Sequence, residues 1–254
     1  MPLKRSEAFV IDVLKMQEAD RLVVLFTEDE GKVRGVAASA ARSHRRFGGK
    51  LERLSRVRAT WFEKEGRDLA RIDACDLVEE SFTLYGDLRT AALLAYVAEI
   101  VDTFAHEREA DPRYFRLLRS LIEAARAGVD PLLLARYFEV WTLRLHGLMP
   151  SLDACGECGS PLAAPGAVLG GADAPEAFCP SCRRRGGLRL SPQAIAALDL
   201  FRRSAPAALG KAAASAAALG EVEAAAVAVL TSFVGRPFRS YRFLREMALE
   251  SDVA

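Results

Sequence analysis

The chain has 254 residues, of which 51% are hydrophobic and 27% are charged, and its formal net charge is +1. This length is enough for two or three small domains, and the composition is that of a folded globular protein, which excludes an intrinsically disordered chain. Because the chain is nearly neutral, only the local distribution of charge can indicate a polyanionic partner.

Export and membrane insertion are not indicated by the sequence. Residues 1–7 contain no apolar stretch of the kind that a secretion signal requires. The best apolar candidate, Ala91 to Val101, is interrupted by Glu99 and is shorter than the roughly 18 residues that span a membrane. We therefore expect a cytoplasmic protein without a membrane partner. In such a reducing compartment, paired cysteines are more typical of metal ligands than of disulfides.

Residues 7 to about 80 are predicted to be β structure. Phe9, Ile11 and Val13 alternate with the residues between them, and residues 57–62 and 69–72 flank a predicted hairpin loop. Further strands are predicted at residues 22–26 and 32–38. About five short strands favour a small closed barrel over a layered α/β unit. The periodicity alone does not distinguish such a barrel from another small β domain.

From about residue 81 the apolar residues recur at helical spacing, which predicts a helical domain in two parts, residues 81–150 and 191–254. Residues 205–230 are rich in alanine, the best helix former, and are predicted to be helical, with a mobile connection as the alternative. Three helix starts are marked by a capping side chain directly before a proline, at Asp111, Asp130 and Ser191.

The insert between these two parts, residues 151–190, carries two CxxC pairs. Four thiolates at this spacing suit a tetrahedral zinc ion, because each CxxC turn directs two sulfur atoms at one metal. All four ligand positions are cysteine, which predicts one structural zinc and leaves no open position for catalysis. A redox CxxC and a site that has lost its metal are the alternatives. The fifth cysteine, Cys75, is expected to be a buried apolar residue. The predicted zinc ligands are Cys155, Cys158, Cys179 and Cys182.

Positive charge is concentrated between Gly31 and Arg58, where nine basic residues and one acid give a local net charge of +8. Such a stretch can follow a phosphate backbone with its cations and stack a base on an aromatic ring. The alternatives are an ordinary solvated loop and a second cationic stripe from Arg236 to Arg245. The predicted DNA-binding residues are six phosphate contacts and one stacking ring, namely Lys32, Arg34, Arg42, Arg45, Arg46, Lys50 and Phe47.

Familiar catalytic motifs are absent from the sequence. It contains no GxxxxGK[ST] loop, HExxH, GxSxG or dinucleotide-binding fingerprint. Its three histidines, His44, His106 and His146, are far apart along the chain, and none has an evident cysteine or serine partner. We therefore expect a binding and assembly protein that is not an enzyme. The alternative is a zinc-ribbon-containing nucleic-acid enzyme or transcription factor.

Seven short segments, spread over nearly the whole chain, carry a resemblance to one known family. They are residues 7–10, 18–27, 31–37, the basic loop at 41–49, the GLMPSLDAC segment at 147–155, LSP at 190–192 and RSYRFL at 239–244. In content and order they resemble the bacterial recombination mediators of the RecO family. Two departures are modest: the core of the basic loop contains arginine and no lysine, and residues 205–230 match no motif of the family.

The resemblance implies an α+β protein with an N-terminal five-stranded OB-fold barrel, residues 1–80, followed by an α-helical domain that carries a four-cysteine zinc-binding insert. It implies a DNA-binding recombination mediator in DNA repair, which binds single- and double-stranded DNA and promotes strand annealing. The implied partners are RecR and the single-strand-binding protein, together with RecF and with RecA, which the protein would help to load. The implied location is the cytoplasm, in association with the nucleoid.

Overall fold

A computed structural model describes residues 3–16, 18–63, 66–170, 176–183, 186–210 and 214–250. The chain forms two compact units, one made of residues 1–116 with 240–254 and the other of residues 117–239. The first unit contains the N-terminal β domain, and the second contains the cysteine insert. The four domains delimited from the sequence do not follow this division and stay a prediction.

Five N-terminal strands form a closed barrel. They are β1 (Leu3–Lys15), β2 (Arg21–Thr27), β3 (Gly31–Ala37), β4 (Arg56–Phe62) and β5 (Ala70–Glu79). Their order around the barrel is β1-β2-β3-β5-β4, and β1 closes it by pairing with both β2 and β4. The β3–β5 pair is parallel, whereas the other pairs are antiparallel. This is the strand order of an OB fold, so the predicted fold class is confirmed.

The barrel encloses its own apolar core. β1 reaches both neighbours because it is 13 residues long and a bulge between Val10 and Asp12 bends it. Alternate side chains of the strands point inward, and Trp61, which is fully buried, is the largest of them. Burial of this apolar surface is the main source of stability for the barrel. The core consists of Ala8, Val10, Val23, Leu25, Val33, Ala37, Phe47, Val57, Ala59, Trp61, Ala70, Ile72 and Cys75.

Helices cover part of the outer surface of the barrel in the first unit. α1 (His44–Phe47) is a single turn between β3 and β4, α2 (Leu88–Phe104) follows β5, and α3 (Pro112–Arg126) begins in this unit. The ring of Phe9, on the outer side of β1, lies 5.1 Å from that of Phe115. Asp111 accepts a hydrogen bond from the backbone N–H of Tyr114 at 2.9 Å, which confirms the predicted start of α3.

The segment after α2 packs closely against the start of β3. Gly31 has a φ of +65°, and a Cβ atom there would clash with the backbone oxygen of Glu109, so a side chain has no room. The backbone N–H of Lys32 donates to the oxygen of His106 at 2.9 Å. The glycine of the GKVRGVA segment therefore permits this contact, which also covers the side chain that follows it.

The second unit consists of helices and the cysteine insert. α4 (Pro131–Leu145) and α5 (Pro192–Arg203) begin at Asp130 and Ser191, as predicted, because each capping side chain accepts backbone N–H groups of the first turn. The insert lies between them and contains a small sheet in the order β7-β6-β8. Its strands are β6 (Ala167–Leu169), β7 (Ala177–Phe178) and β8 (Leu188–Leu190).

The alanine-rich segment is helical over only part of the predicted range. Residues 206–208 form a short 3-10 turn, residues 211–213 lie outside the described residues, and α6 (Ala216–Val234) begins at the capping side chain of Ser215. The prediction of one helix from residue 205 was wrong at its start. Pro206 and Gly210 interrupt the segment because neither residue favours the interior of a helix. The last helix, α7, spans Arg239–Glu250.

One helix in the described part of the chain, α6, is long and apolar enough to cross a membrane by length and composition. The expectation that no segment is long and apolar enough to span a membrane is therefore corrected for this helix. The indication is weak, since core helices of folded domains have the same composition. Six residues of α6 are buried, and Glu223 on this helix pairs with Arg136 of α4 at 2.8 Å.

Candidate functional site

The four cysteines of the two CxxC pairs lie close together, as the sequence predicted. Their Sγ atoms all lie within 4.8 Å of one another, and none of the chain's five cysteines forms a disulfide. The Sγ atoms of Cys158 and Cys179 are 3.8 Å apart. For a tetrahedral ion with metal–sulfur bonds of about 2.3 Å, the geometry requires a sulfur–sulfur distance of about 3.8 Å. The donor set and its spacing therefore fit one tetrahedral metal ion.

Each CxxC pair is shaped by a tight backbone turn. In the first turn, Gly159 has a φ of +72°, and its N–H donates to the oxygen of Cys155 at 2.9 Å. In the second turn, the N–H of Cys182 donates to the Sγ of Cys179 at 3.4 Å. The N–H of Gly156 donates to the oxygen of Ala177 at 2.9 Å and ties the first turn to β7. Glycine is needed at residue 159 because other residues rarely adopt this left-handed conformation.

Backbone N–H groups and hydroxyl groups around the sulfurs favour thiolates on the first pair. Hydrogen bonds from the N–H groups of Cys158 and Cys179 lower the pKa of the Cys155 thiol to about 6. The side chain of Ser160 lowers the pKa of Cys158. The pKa of Cys182 is raised because its thiol hydrogen-bonds to Cys179 and Cys158. Metal binding needs all four sulfurs deprotonated, so a bound cation would displace the remaining protons.

The basic stretch between Gly31 and Arg58 extends over β3, the following loop (residues 38–55) and the start of β4. Several of its cations pair with acids from other segments, which removes much of the local surplus of positive charge. The closest nitrogen–oxygen distances are 3.4 Å for Lys32 with Asp102, 3.2 Å for Arg34 with Glu107, 2.6 Å for Arg53 with Asp12 and 2.8 Å for Arg56 with Glu7.

Two residues of the predicted DNA-binding set are buried. Lys32 is 7% exposed, and its Nζ donates to the backbone oxygen of Asp102. Phe47 is 2% exposed and belongs to the barrel core. A buried ring offers no face on which a base can stack, so the structure contradicts the expectation for Phe47. It also contradicts the expectation for Lys32, because its ammonium group would have to leave its internal partners to reach a phosphate.

Arg46 serves the loop itself. Its guanidinium donates to the backbone oxygen of Ala38 at 2.8 Å and to the hydroxyl of Ser43 at 3.0 Å, and it lies 5.0 Å from the ring centre of Phe47. Lys50 donates to the backbone oxygen of Arg45 at 2.9 Å. These two cations satisfy carbonyl groups that the loop would otherwise leave without partners.

Arg42 and Arg45 are the cations of the loop that face solvent. Arg42 makes one long contact of 3.5 Å with Glu18, and the side chains of both residues are highly exposed, at 74% for Arg42 and 93% for Glu18. Arg45 is exposed, and its side chain has no hydrogen-bond or ion-pair partner among the described residues. Arg34 is 42% exposed beside its acidic partners. Of the predicted phosphate contacts, these three remain available.

The barrel brings together two further exposed cations that the sequence did not indicate as a pair. Arg5 of β1 and Arg58 of β4 face outward around a pocket of about 250 Å³, which Ser6 and Glu7 complete. Register places Glu7 opposite Arg58, so Arg5 lies diagonally across the strand pair. The alternation along β1 could have indicated this outward face, but the pairing of β1 with β4 is set by the barrel and not by a local motif.

Two family models match the chain and together cover most of it. The model described as "Recombination protein O N terminal" matches residues 1–81, and "Recombination protein O C terminal" matches residues 85–242. The first range coincides with the barrel, and the second includes the four cysteines. The chain belongs to the RecO family.

Curated relatives of this RecO-family chain carry the name "DNA repair protein RecO". The protein of Geobacter metallireducens is 34% identical over 97% of this chain and 99% of its own length. That of Anaeromyxobacter sp. strain K is 34% identical over 94% of each chain. That of Koribacter versatilis is 41% identical over 63% of this chain and 65% of its own length, which is just under two thirds.

Proposed function

We propose that this chain is a recombination mediator in DNA repair, which binds single- and double-stranded DNA and promotes annealing of complementary strands. Its membership of the RecO family supports this role. The observation that carries the DNA-binding part is the exposed arginine pair on the loop of a closed OB-type barrel, Arg42 and Arg45. Exposed guanidinium groups can engage phosphate oxygens without leaving an internal partner.

The proposed DNA surface differs from the one expected from charge alone. Arg42 and Arg45 supply the central phosphate contacts, and Arg34 of β3 supplies a further one. Arg46 keeps the loop in shape through its bonds to backbone oxygens. Because phosphate contacts do not read base identity, binding is expected to depend little on sequence.

The metal that the four cysteines hold is proposed to be zinc. Four thiolates in tetrahedral geometry suit zinc, and no ligand position is left open. The role of the ion is structural: it fixes an insert whose strands are two or three residues long. It supplies no chemistry to the DNA.

The partners follow from the family and are part of the proposal. RecR and the single-strand-binding protein would act with this chain, RecF would act beside them, and RecA would be loaded on the strand that they prepare. The proposed location is the cytoplasm, in association with the nucleoid. No catalytic step is assigned to the chain.

The experiment is a salt titration of DNA binding, read by fluorescence anisotropy with a labelled oligothymidylate and with a mixed-sequence oligonucleotide. Each phosphate contact contributes a slope of about −0.7 in log affinity against log salt for single strands. Replacing Arg42 and Arg45 together with alanine should therefore flatten the slope by about 1.4, equally for both oligonucleotides.

A control removes a paired cation elsewhere on the barrel. Lys4 pairs with Glu30 at 2.7 Å and with Glu63 at 3.1 Å, so it is not free to bind a phosphate. Whereas the double variant takes away two positive charges, Lys4→Ala takes away one. It should leave the slope nearly unchanged. Wild-type affinity and slope in the double variant would reject the loop as the DNA site, and the next candidates are then the pair Arg5 and Arg58 and the exposed arginines Arg242 and Arg245 of α7.

A further inference from the structure

The ligands of the metal centre are unequally protected from solvent. Cys155 and Cys179 are buried, Cys182 is intermediate, and Cys158 is exposed. A thiolate sulfur that faces solvent is the point at which an electrophile can attack the centre. What surrounds the Cys158 sulfur therefore bears on how firmly the site holds its metal.

Ser160 provides the polar side chain at this sulfur. Its Oγ lies 3.3 Å from the Sγ of Cys158. The hydroxyl is held there by the backbone: the N–H of Cys155 donates to the oxygen of Ser160 at 2.9 Å, and Gly159 turns the chain between them. Ala154 and Pro161 also form an isolated β-bridge across the same turn. The position of Ser160 is therefore fixed without any contribution from its own side chain.

A metal-bound sulfur has no proton to donate, so a hydrogen bond between these two groups must run from the serine hydroxyl to the thiolate. Hydrogen bonds to a charged acceptor are stronger than neutral ones. Groups that bond to a metal ligand from outside the coordination sphere orient it and change its electron density. A donated hydrogen bond also withdraws charge from sulfur and makes it a weaker nucleophile.

We propose that Ser160 is a positioning residue of the metal centre, whose hydroxyl donates to the Cys158 thiolate, tightens metal binding and slows attack on the exposed sulfur. This inference rests on the zinc assignment made above. Ser160 is not itself a metal ligand, and its hydroxyl contacts a ligand sulfur only in the first CxxC turn. The second turn also contains a serine, Ser181, which is exposed and whose hydroxyl has no partner among the described residues.

The test uses the full chain loaded with zinc and compares Ser160→Ala with the matched control Ser181→Ala. The reagent is N-ethylmaleimide, whose ring carbon forms a bond with the sulfur while the neighbouring carbon takes a proton from water. Zinc release is followed with a chromogenic chelator, and peptide mass spectrometry identifies the modified cysteine. We expect roughly tenfold weaker metal affinity in Ser160→Ala, the lower end of the range for such outer groups, with faster release that begins at Cys158.

A spectroscopic readout separates this role from a merely structural one. In the cobalt-substituted chain, the sulfur-to-metal charge-transfer band should shift in Ser160→Ala, remain in place in Ser181→Ala and return in Ser160→Thr, which restores the hydroxyl. Equal release rates and equal spectra in all four proteins would overturn the proposal while leaving zinc in place. A wild-type chain that binds no zinc would instead overturn the zinc assignment, and the role of Ser160 with it.

Discussion

The barrel and the cysteine insert are both small β structures, yet they are held together differently. The barrel closes five strands of seven to thirteen residues around a continuous apolar core. The insert has three strands of two or three residues, and few of its side chains are both apolar and fully buried. A domain with so little apolar core needs another source of stability, and the four sulfurs are in position to supply it through a metal.

This difference explains which parts of the molecule could be predicted from sequence. The CxxC pairs are local patterns, and the ligand geometry follows from spacing within a few residues. The function of a cation in the basic stretch depends on which distant residues it meets. Lys32 is buried because the segment after α2 covers it, and no feature near residue 32 indicates that contact.

Removal of the metal should produce the largest loss of stability and should unfold only the insert. Structural zinc sites have apparent binding free energies of about 10–16 kcal/mol at neutral pH, and this energy is folding energy. Replacing the buried ligand Cys155 with serine should abolish zinc binding, as measured by metal analysis of the purified chain. Hydrogen exchange should then show loss of protection in residues 154–170 and 176–183 and retained protection in the barrel. In the control Cys75→Ala, the zinc content should stay at one ion per chain.

A cavity in the barrel should produce the next largest loss of stability, and the insert should keep its metal. Trp61 is fully buried, so replacing it with alanine should cost about 3–5 kcal/mol in the free energy of unfolding. Urea denaturation followed by circular dichroism measures this change. Phe82 is 72% exposed in the same unit, and Phe82→Ala should shift the midpoint little. Comparable losses in both variants would show that the barrel core is not the principal source of stability.

Phe47 illustrates the limit of sequence reasoning on the barrel. Its neighbours are cationic and glycine follows it, a pattern typical of a nucleic-acid loop. The pattern does not show that α1 turns this ring into the core. The strand pattern was more informative, since the alternation in β1 and the predicted hairpin at residues 57–72 placed β1, β4 and the start of β5 correctly. Their order around the barrel could be obtained only from the family resemblance, because β3 and β5 pair across a long connection.

Arg46 and Arg45 are adjacent in sequence, but Arg46 is bonded to backbone oxygens and Arg45 is exposed to solvent. Replacing each in turn tests a smaller change in stability. Arg46→Ala removes hydrogen bonds to the oxygens of Ala38 and Asp73. Leaving partly buried carbonyls without a charged donor should cost about 1–3 kcal/mol in the free energy of unfolding. Arg45→Ala should cost almost nothing, because this side chain is exposed. Denaturation midpoints of the two variants measure this difference. Equal losses in the free energy of unfolding would contradict the structural role of Arg46.

The smallest expected effect on stability at neutral pH comes from ionisation of the cysteine thiols, which differ between the two regions. Burial raises the pKa of the Cys75 thiol to about 12, whereas hydrogen bonds lower the pKa of Cys155 to about 6. At pH 7 Cys75 keeps its proton in both the folded and the unfolded chain, so its ionisation does not change stability. Above about pH 9 the unfolded chain loses this proton first, and stability should fall by up to about 1.4 kcal/mol per pH unit until the folded thiol also ionises.

Thiol reactivity measures this contrast directly. With the metal removed at pH 8, Cys155 and Cys158 of the insert, whose pKa values are lowered, should react with a disulfide reagent within minutes, because thiolate is the reactive form. Cys75 should react only after denaturant opens the barrel, and Cys75→Ala should remove this slow phase alone. If Cys75 reacts as fast as the insert, the barrel opens as readily as the metal-free insert. The two regions would then not differ in their need for a metal, which is the point on which the comparison depends.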